Sequence, residues 1–314
     1  DSVASRGLGD VYKRQHLFVS KGRFQAMVKI LSILSLFLLS ALVLFACSSG
    51  DEPKEPFVIA GIPDQNVSDL TRRYSGLTEY LSDELEVVVE YLPTTDYAAT
   101  VTAFSRGDVQ MAWFGGLTGV QARLAVPGSQ AIAQRERDTK FHSVFVFNKN
   151  VDVVTLQDLK GLRFAFGSES STSGHLMPRH FLSENGIDAD SDFDGAPMFS
   201  GSHDQTWLLV QGGAADAGAL SEAVWQKAVS SGKVDESKIG VFYVTPPYFD
   251  YNWTIRPDVE DKFGKGFIEM STSAILGIDR ADLLELFSAK KFIASENGNY
   301  AQIEDVGRNL GILK

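Results

Sequence analysis

The stretch Gly167-Ser-Glu-Ser-Ser-Thr-Ser-Gly-His-Leu-Met-Pro-Arg-His-Phe-Leu-Ser-Glu-Asn-Gly186 decides how the chain is read. It follows a short apolar strand candidate, residues 163–166. It leads into a segment with apolar residues at Leu176, Met177, Phe181 and Leu182, closed by Asn185-Gly186, a good helix stop. The unit is therefore strand, polar loop, helix. Hydroxyls crowd the loop at Ser168, Ser170, Ser171, Thr172 and Ser173. They stand beside a helix start whose first N–H groups have no intrahelical partner, and such an end offers donors and a partial positive charge to an anion. Capping uses one or two hydroxyls, so three in a row before a glycine point beyond capping, to a cradle for a small oxyanion. Pro178 lacks an N–H, so regular helix is expected to begin near it, leaving free donors upstream.

Composition narrows the classes of function. At 314 residues, with 44% hydrophobic and 22% charged residues, the chain is long enough for two domains and a real core. Its formal charge is -11, and the chain after residue 46 carries 23 basic against 38 acidic residues, a net of -15. Without a basic stripe to neutralise phosphates, nucleic acid is not an expected partner. An anion must be held locally, by dipoles and hydroxyls, against an unfavourable overall field.

Cys47 is the single cysteine, so no disulfide framework or cysteine metal site arises within the chain. Met27-Val28-Lys29 precedes an apolar run from Ile30 to Phe45 and then Ala46-Cys47-Ser48-Ser49-Gly50, the layout of an export signal at residues 27–46. Leu44-Phe45-Ala46-Cys47 resembles a bacterial lipobox, which implies cleavage before Cys47 and its diacylation, holding the protein on a membrane. Residues 1–26 read as a non-native extension and residues 47–56 as a polar tether.

From Phe57 onward, strand and helix patterns alternate. Leu70, Tyr74, Leu77, Leu81 and Leu85 recur at helical spacing, Asp96 precedes a helix with Tyr97, Val101 and Phe104 on one face, and short β-branched or aromatic runs separate the helices. This predicts α/β lobes with mixed, mostly parallel sheets. One lobe is expected from residues 57–143 plus 247–314 and the other from 144–246, joined by a two-strand hinge near residues 141–148 and 244–250. Loops at the carboxyl ends of strands from both lobes would line the cleft between them.

The lipobox, the two α/β halves, Thr94-Thr95-Asp96-Tyr97-Ala98-Ala99, Trp113-Phe114-Gly115-Gly116, Ser171-Thr172-Ser173-Gly174 and Gly201-Ser202-His203-Asp204 together resemble the phosphate/phosphite/phosphonate-binding family of ABC-transporter periplasmic proteins. The resemblance implies a type II periplasmic-binding fold that closes on an oxyanion, as a monomer, and presents it to a membrane permease. It implies that Ser171, Thr172 and Ser173 hold the anion from the second lobe, with Tyr97 from the first and His203 from the start of its helix. Tyr251 lies in the aromatic run Tyr248-Phe249-Asp250-Tyr251-Asn252-Trp253, which with the Gly-Gly-Leu-Thr run after Phe114 resembles a selenate-type branch of the family. On the residues alone, Tyr97 reads as core and His203 as a cap neighbour, so their ligand roles rest on the resemblance. Asp216 is expected at a strand end near the cleft, facing a cationic group on the ligand or solvent. Trp113 and Trp253 are expected to pack.

Other classes lack a signal. Gly167-Ser168-Glu169-Ser170-Ser171 departs from the nucleophile-elbow pattern at its last position, and no His/Asp spacing marks a triad, so no catalysis is expected. His175 and His180 are five residues apart, a poor spacing for one metal, and no metal or cofactor is expected. A receptor feeding a signalling partner would use the same closure and stays open as an alternative.

Overall fold

The structure, a computed structural model, describes residues 55–313. The extension, the export signal, Cys47 and most of the tether lie outside the described residues. Eleven strands among the described residues form two sheets. The first contains β1 (Phe57–Gly61), β2 (Val89–Tyr91), β3 (Met111–Phe114), β4 (Gln130–Arg135), β10 (Asn252–Ile255) and β11 (Phe292–Ala294) in the order β11-β4-β10-β3-β1-β2. The second contains β5 (Ser143–Asn148), β6 (Phe164–Phe166), β7 (Met198–Phe199), β8 (Ala217–Ser221) and β9 (Ile239–Val244) in the order β7-β6-β8-β5-β9. β1 pairs in parallel with β2 and β3, and β6 with β7 and β8, while β10 and β5 run against their neighbours. These reversed strands sit beside the two places where the chain passes between lobes. There Phe141 and Tyr248 exchange backbone hydrogen bonds of 2.8 and 3.0 Å.

The strands in the middle of each sheet are buried on both faces, which is why they read as short continuous apolar runs. In the second sheet the alternation still sorts side chains by face. Phe145, Phe164 and Phe166 join Leu182, Ile187 and Phe193 in one layer, whereas Val144, Val146 and Ala165 join Trp207, Val210 and Trp225 in the other. The helices are α1 (Val67–Leu85), α2 (Tyr97–Arg106), α3 (Gly116–Ala125), α4 (Met177–Glu184), α5 (His203–Gln211), α6 (Glu222–Ser230), α7 (Val259–Phe263), α8 (Phe267–Leu276), α9 (Ala281–Leu286) and α10 (Ala301–Asn309). α1 buries Leu70, Tyr74, Leu77, Leu81 and Leu85, the apolar face its spacing predicts. Asn66 caps it, accepting from the Asp69 N–H at 3.0 Å. α2 is capped by Asp96, which accepts from the Ala99 N–H at 2.7 Å, and stops at Gly107, whose φ of 86° only glycine adopts cheaply.

Residues 259–276 form two helices rather than one, because Gly264 and Gly266 between them take φ values of 108° and 89°. Residues 292–294 form edge strand β11 beside β4.

Candidate functional site

The loop between β6 and α4 is closed at its base by one backbone hydrogen bond, Gly167 N–H donating to the Gly174 carbonyl at 2.8 Å. Residues Thr172–Leu176 form a single π-helical turn, and α4 starts at Met177 with Pro178 in its first turn, as the missing proline donor requires. Ser171 caps this turn, its hydroxyl accepting from Gly174 N–H at 2.9 Å. Ser171, Thr172 and Ser173 are all buried, at 1 to 2% exposure, facing the opposite lobe rather than solvent.

The first lobe meets them directly. Thr172 Oγ1 accepts from Leu117 N–H, in the first turn of α3, at 2.9 Å. Having accepted, the hydroxyl still has its own proton to donate. Tyr97, at the first position of α2, is buried beside Ser171, Asp64 and Asp250, and its pKa is pushed well above 10 by burial and by those two carboxylates. The phenol therefore keeps its proton as a donor. Ser171 approaches it, yet Tyr97 Oη makes no hydrogen bond of sound geometry among the described residues.

His203 begins α5, capped by Ser202. Its Nδ1 accepts from the Ser221 N–H at 3.2 Å, so a neutral imidazole carries its proton on Nε2. Burial holds the ring neutral, pushing its pKa down to about 4. Nε2 stands 3.4 Å from Tyr251 Oη, so both groups meet at the lobe boundary. Tyr251 is backed by Trp113, stacked at 5.5 Å and 18°, and by the Arg135 guanidinium 4.7 Å from its ring centre. Arg135 in turn is paired with Asp138 at 2.6 Å within the core. Trp113 and Trp253 pack in the core and do not line the site.

The residue that sequence reasoning passed over is Asp250. It is 1% exposed, its backbone N–H donates to the Asp138 carbonyl at 3.1 Å, and Oδ1 accepts from Gly116 N–H at 2.9 Å. Oδ2 is buried with no hydrogen-bond partner among the described residues. Burial pushes its pKa up to about 7, against the opposing pull of Gly116 N–H and the Thr172 and Ser173 hydroxyls. The sequence offered only its place as the one carboxylate in a mostly aromatic run, with nothing to mark its burial.

Asp216, expected at a strand end near the cleft, stands away from it: it directly precedes β8 and so lies at that strand's amino end, whereas the hydroxyl loop and Ser221 lie at the carboxyl ends of β6 and β8. There it pairs with Arg163 at 2.6 Å, and that hydrogen bond and charge hold its pKa below the usual carboxylate range. The structure thus brings together Tyr97, Ser171, Thr172, Ser173, His203 and Tyr251, adds Asp250, and leaves Asp216 outside.

The lobes are shut on this group. Besides Leu117 to Thr172, His203 N–H donates to the Asp64 carbonyl at 3.2 Å and Asn66 N–H to Asp204 Oδ2 at 2.9 Å, and Lys233 pairs with Asp69 at 3.2 Å. A cavity of about 10 Å³ beside Tyr251 is lined by Asp64, Arg135, Ser221 and Lys227. A larger groove of about 420 Å³, along Arg179, Asp188, Asp190, Asp192 and Leu310, opens elsewhere and contains none of the site residues. Among the described residues, no group of three His, Cys, Asp or Glu side chains is arranged to hold a metal.

Two α/β lobes joined by two crossings, closing neutral donors over a point between strand ends, define a solute receptor of the periplasmic-binding type. Residues 59–300 match the family described as ABC transporter, phosphonate, periplasmic substrate-binding protein, and the chain belongs to that family. It is 42% identical over 295 residues to the probable ABC transporter phosphite binding protein PhnD1 of Prochlorococcus marinus strain MIT 9301, covering 90% of this chain and 99% of that one. The structure of PhnD1 from Prochlorococcus marinus in complex with methylphosphonate superposes with a TM-score of 0.80 at 43% identity, covering 83% of this chain and all of the other. The phosphate-import protein PhnD of Mycolicibacterium smegmatis is 28% identical over 252 residues, 73% of this chain and 78% of the relative. Binding proteins of such importers work outside the cytoplasmic membrane, and among the described residues no helix is long and apolar enough to cross one.

Proposed function

We propose that the chain captures a small, singly protonated phosphorus oxyanion, phosphite or methylphosphonate, between lobes spanning residues 57–143 with 247–314 and residues 144–246, and delivers it unchanged to a permease as a monomer. The observation that carries this is two buried, unpartnered atoms, Tyr97 Oη and Asp250 Oδ2, on groups near enough for the carboxylate to act on the phenol. Leaving a buried donor or acceptor unsatisfied costs about 1–3 kcal/mol each. A ligand with an acceptor oxygen for the phenol and an acidic O–H for the carboxylate satisfies both. Phosphorus oxyanions whose second ionisation lies near neutrality keep such a proton; sulfate and selenate do not. The hydroxyls of residues 171–173, the His203 Nε2–H and the free N–H groups of the first turn supply the remaining donors, so the charge is held without an ion pair.

Titration calorimetry with phosphite, methylphosphonate, phosphate, sulfate and selenate tests the reading. Binding of phosphite or methylphosphonate is expected, and heat from none of the five retires it. Replacing Thr172 and Ser173 together by Ala removes two hydrogen bonds to a charged group, roughly 1.5–3 kcal/mol each, so affinity should fall by at least about a hundredfold. Unchanged affinity in that variant moves the site elsewhere. We also read Cys47 as diacylated and membrane-anchored; intact mass spectrometry of protein extracted from membranes would reveal the two added chains or their absence.

A further inference from the structure

Neither a metal nor the ligand accounts for His175, which lies in the π-helical turn yet points away from the other lobe. It is 5% exposed, wedged edge-on between Phe166 and Phe199 at ring distances of 5.0 and 4.9 Å. Both of its nitrogens are engaged. Nδ1 is 2.7 Å from the Glu169 carbonyl, and Nε2 is 3.0 Å from Arg179 Nε, one turn on in α4. A guanidinium only donates and a carbonyl only accepts, so the two neighbours together force one tautomer: neutral, with the proton on Nδ1. Arg179 is itself fixed, by Asp190 at 2.8 Å and by the face of Phe166 at 5.4 Å.

We propose that His175 is a positioning residue for the oxyanion site: Asp190, Arg179 and His175 form a relay from the surface that pins the Glu169 carbonyl and so sets Ser171, Thr172 and Ser173. The proposal rests on the site reading above. The pinned carbonyl is two residues before Ser171. Ser171 N–H donates to the Ser168 carbonyl at 2.9 Å, so the tie spans the whole approach to the hydroxyls. Without it the strand end is held to the turn by the Gly167 to Gly174 bond. Burial lowers the His175 pKa to about 4, and Arg179 adds to this, in keeping with a ring that must stay neutral to accept from a guanidinium.

Asparagine and glutamine separate the two halves of the ring. Asn places an amide nitrogen where Nδ1 stands and keeps the donor to Glu169; Gln reaches the Nε2 position and keeps the acceptor for Arg179. Methylphosphonate affinity and the melting temperature of the unliganded protein are measured for His175→Asn and His175→Gln. His175→Asn is expected to stay within about threefold of the parent and His175→Gln to lose more than tenfold, without the same order in melting temperature. Equal affinity for His175→Gln and parent, or equal losses in both variants, overturns the role. If neither variant folds, Arg179→Leu leaves the ring and frees its tautomer. Nitrogen-15 shifts of the imidazole should then report Nδ1–H in the parent and a mixture in Arg179→Leu, with severalfold weaker binding. An Nε2–H ring in the parent sinks the relay. A parent that binds no methylphosphonate fails the site reading, whereas a parent that binds while His175→Gln binds equally fails this inference alone.

Discussion

A carboxylate with a buried, unpartnered oxygen makes Asp250 a selector and a liability together. Its pKa is about 7 in the folded protein against about 3.9 in an unfolded chain. Between those values the native state holds a proton that the unfolded state lacks, so stability falls as pH rises from about 4 to 7 and levels off above. At about 1.4 kcal/mol per pH unit, this amounts to roughly 4 kcal/mol. The two buried histidines run the other way, since their lowered pKa values remove stability as pH falls from about 6.5 to 4. Comparing Asp250→Asn with the parent isolates the Asp250 contribution. Denaturant melts without ligand should show the variant more stable at pH 8 and the difference shrinking toward pH 5. The same exchange replaces an acceptor by an amide that also donates, so calorimetry at pH 8 should show sulfate gaining on phosphite. An unchanged ratio would remove Asp250 from ligand selection.

At the scale of the element, the hydroxyl turn depends on a glycine for space rather than for its dihedral angles. A Cβ on Gly174 would lie 2.9 Å from Ser171 Oγ, 3.1 Å from the Gly167 Cα and 3.1 Å from His203 Cε1. Two of these neighbours are in the site and the third is backbone, so none can yield without moving a ligand group. Gly174→Ala should cost about 1–3 kcal/mol of stability and weaken methylphosphonate binding more than tenfold, read by melting and calorimetry. Parental affinity in that variant would mean the turn tolerates rearrangement.

The strand-loop-helix unit was readable because hydroxyl clustering and the Asn185-Gly186 stop are local signals. So were the capped, amphipathic helices α1 and α2. β11 was not, as three residues are too few to display an alternation. Asp250 was not, because its burial is created by β10 returning from the other lobe to the middle of the first sheet, a contact between residues over a hundred positions apart. Asp216 was misplaced for a different reason. A small-residue run marks a strand end without saying which end, and the direction of β8 decides.

At the scale of the molecule, closure joins two surfaces of different chemistry. Leu176, Met177 and Phe181 from the second lobe share the apolar core of the first, while Asp69 with Lys233 and Asn66 with Asp204 form a polar margin. Asp69 sits against the penalty of its own burial, with Asn66, Lys233 and Arg72 holding its pKa down to about 2. Its folded value lies below the unfolded one, so its stabilisation is full above about pH 4 and lost as pH falls through 2. Lys233 is half exposed, so the pair contributes in the range of about 0.2–1 kcal/mol. Lys233→Ala should therefore speed methylphosphonate release by at most about fivefold in low salt, with the gap closing as salt is raised. Stopped-flow release would decide; a salt-independent gap would point away from charge.

The position of β10 between β3 and β4 also governs how the polypeptide is born. Residues 57–135 supply four of the six first-sheet strands, β1 to β4, yet β3 and β4 cannot be bridged until Asn252–Ile255 has been made, after the entire second sheet.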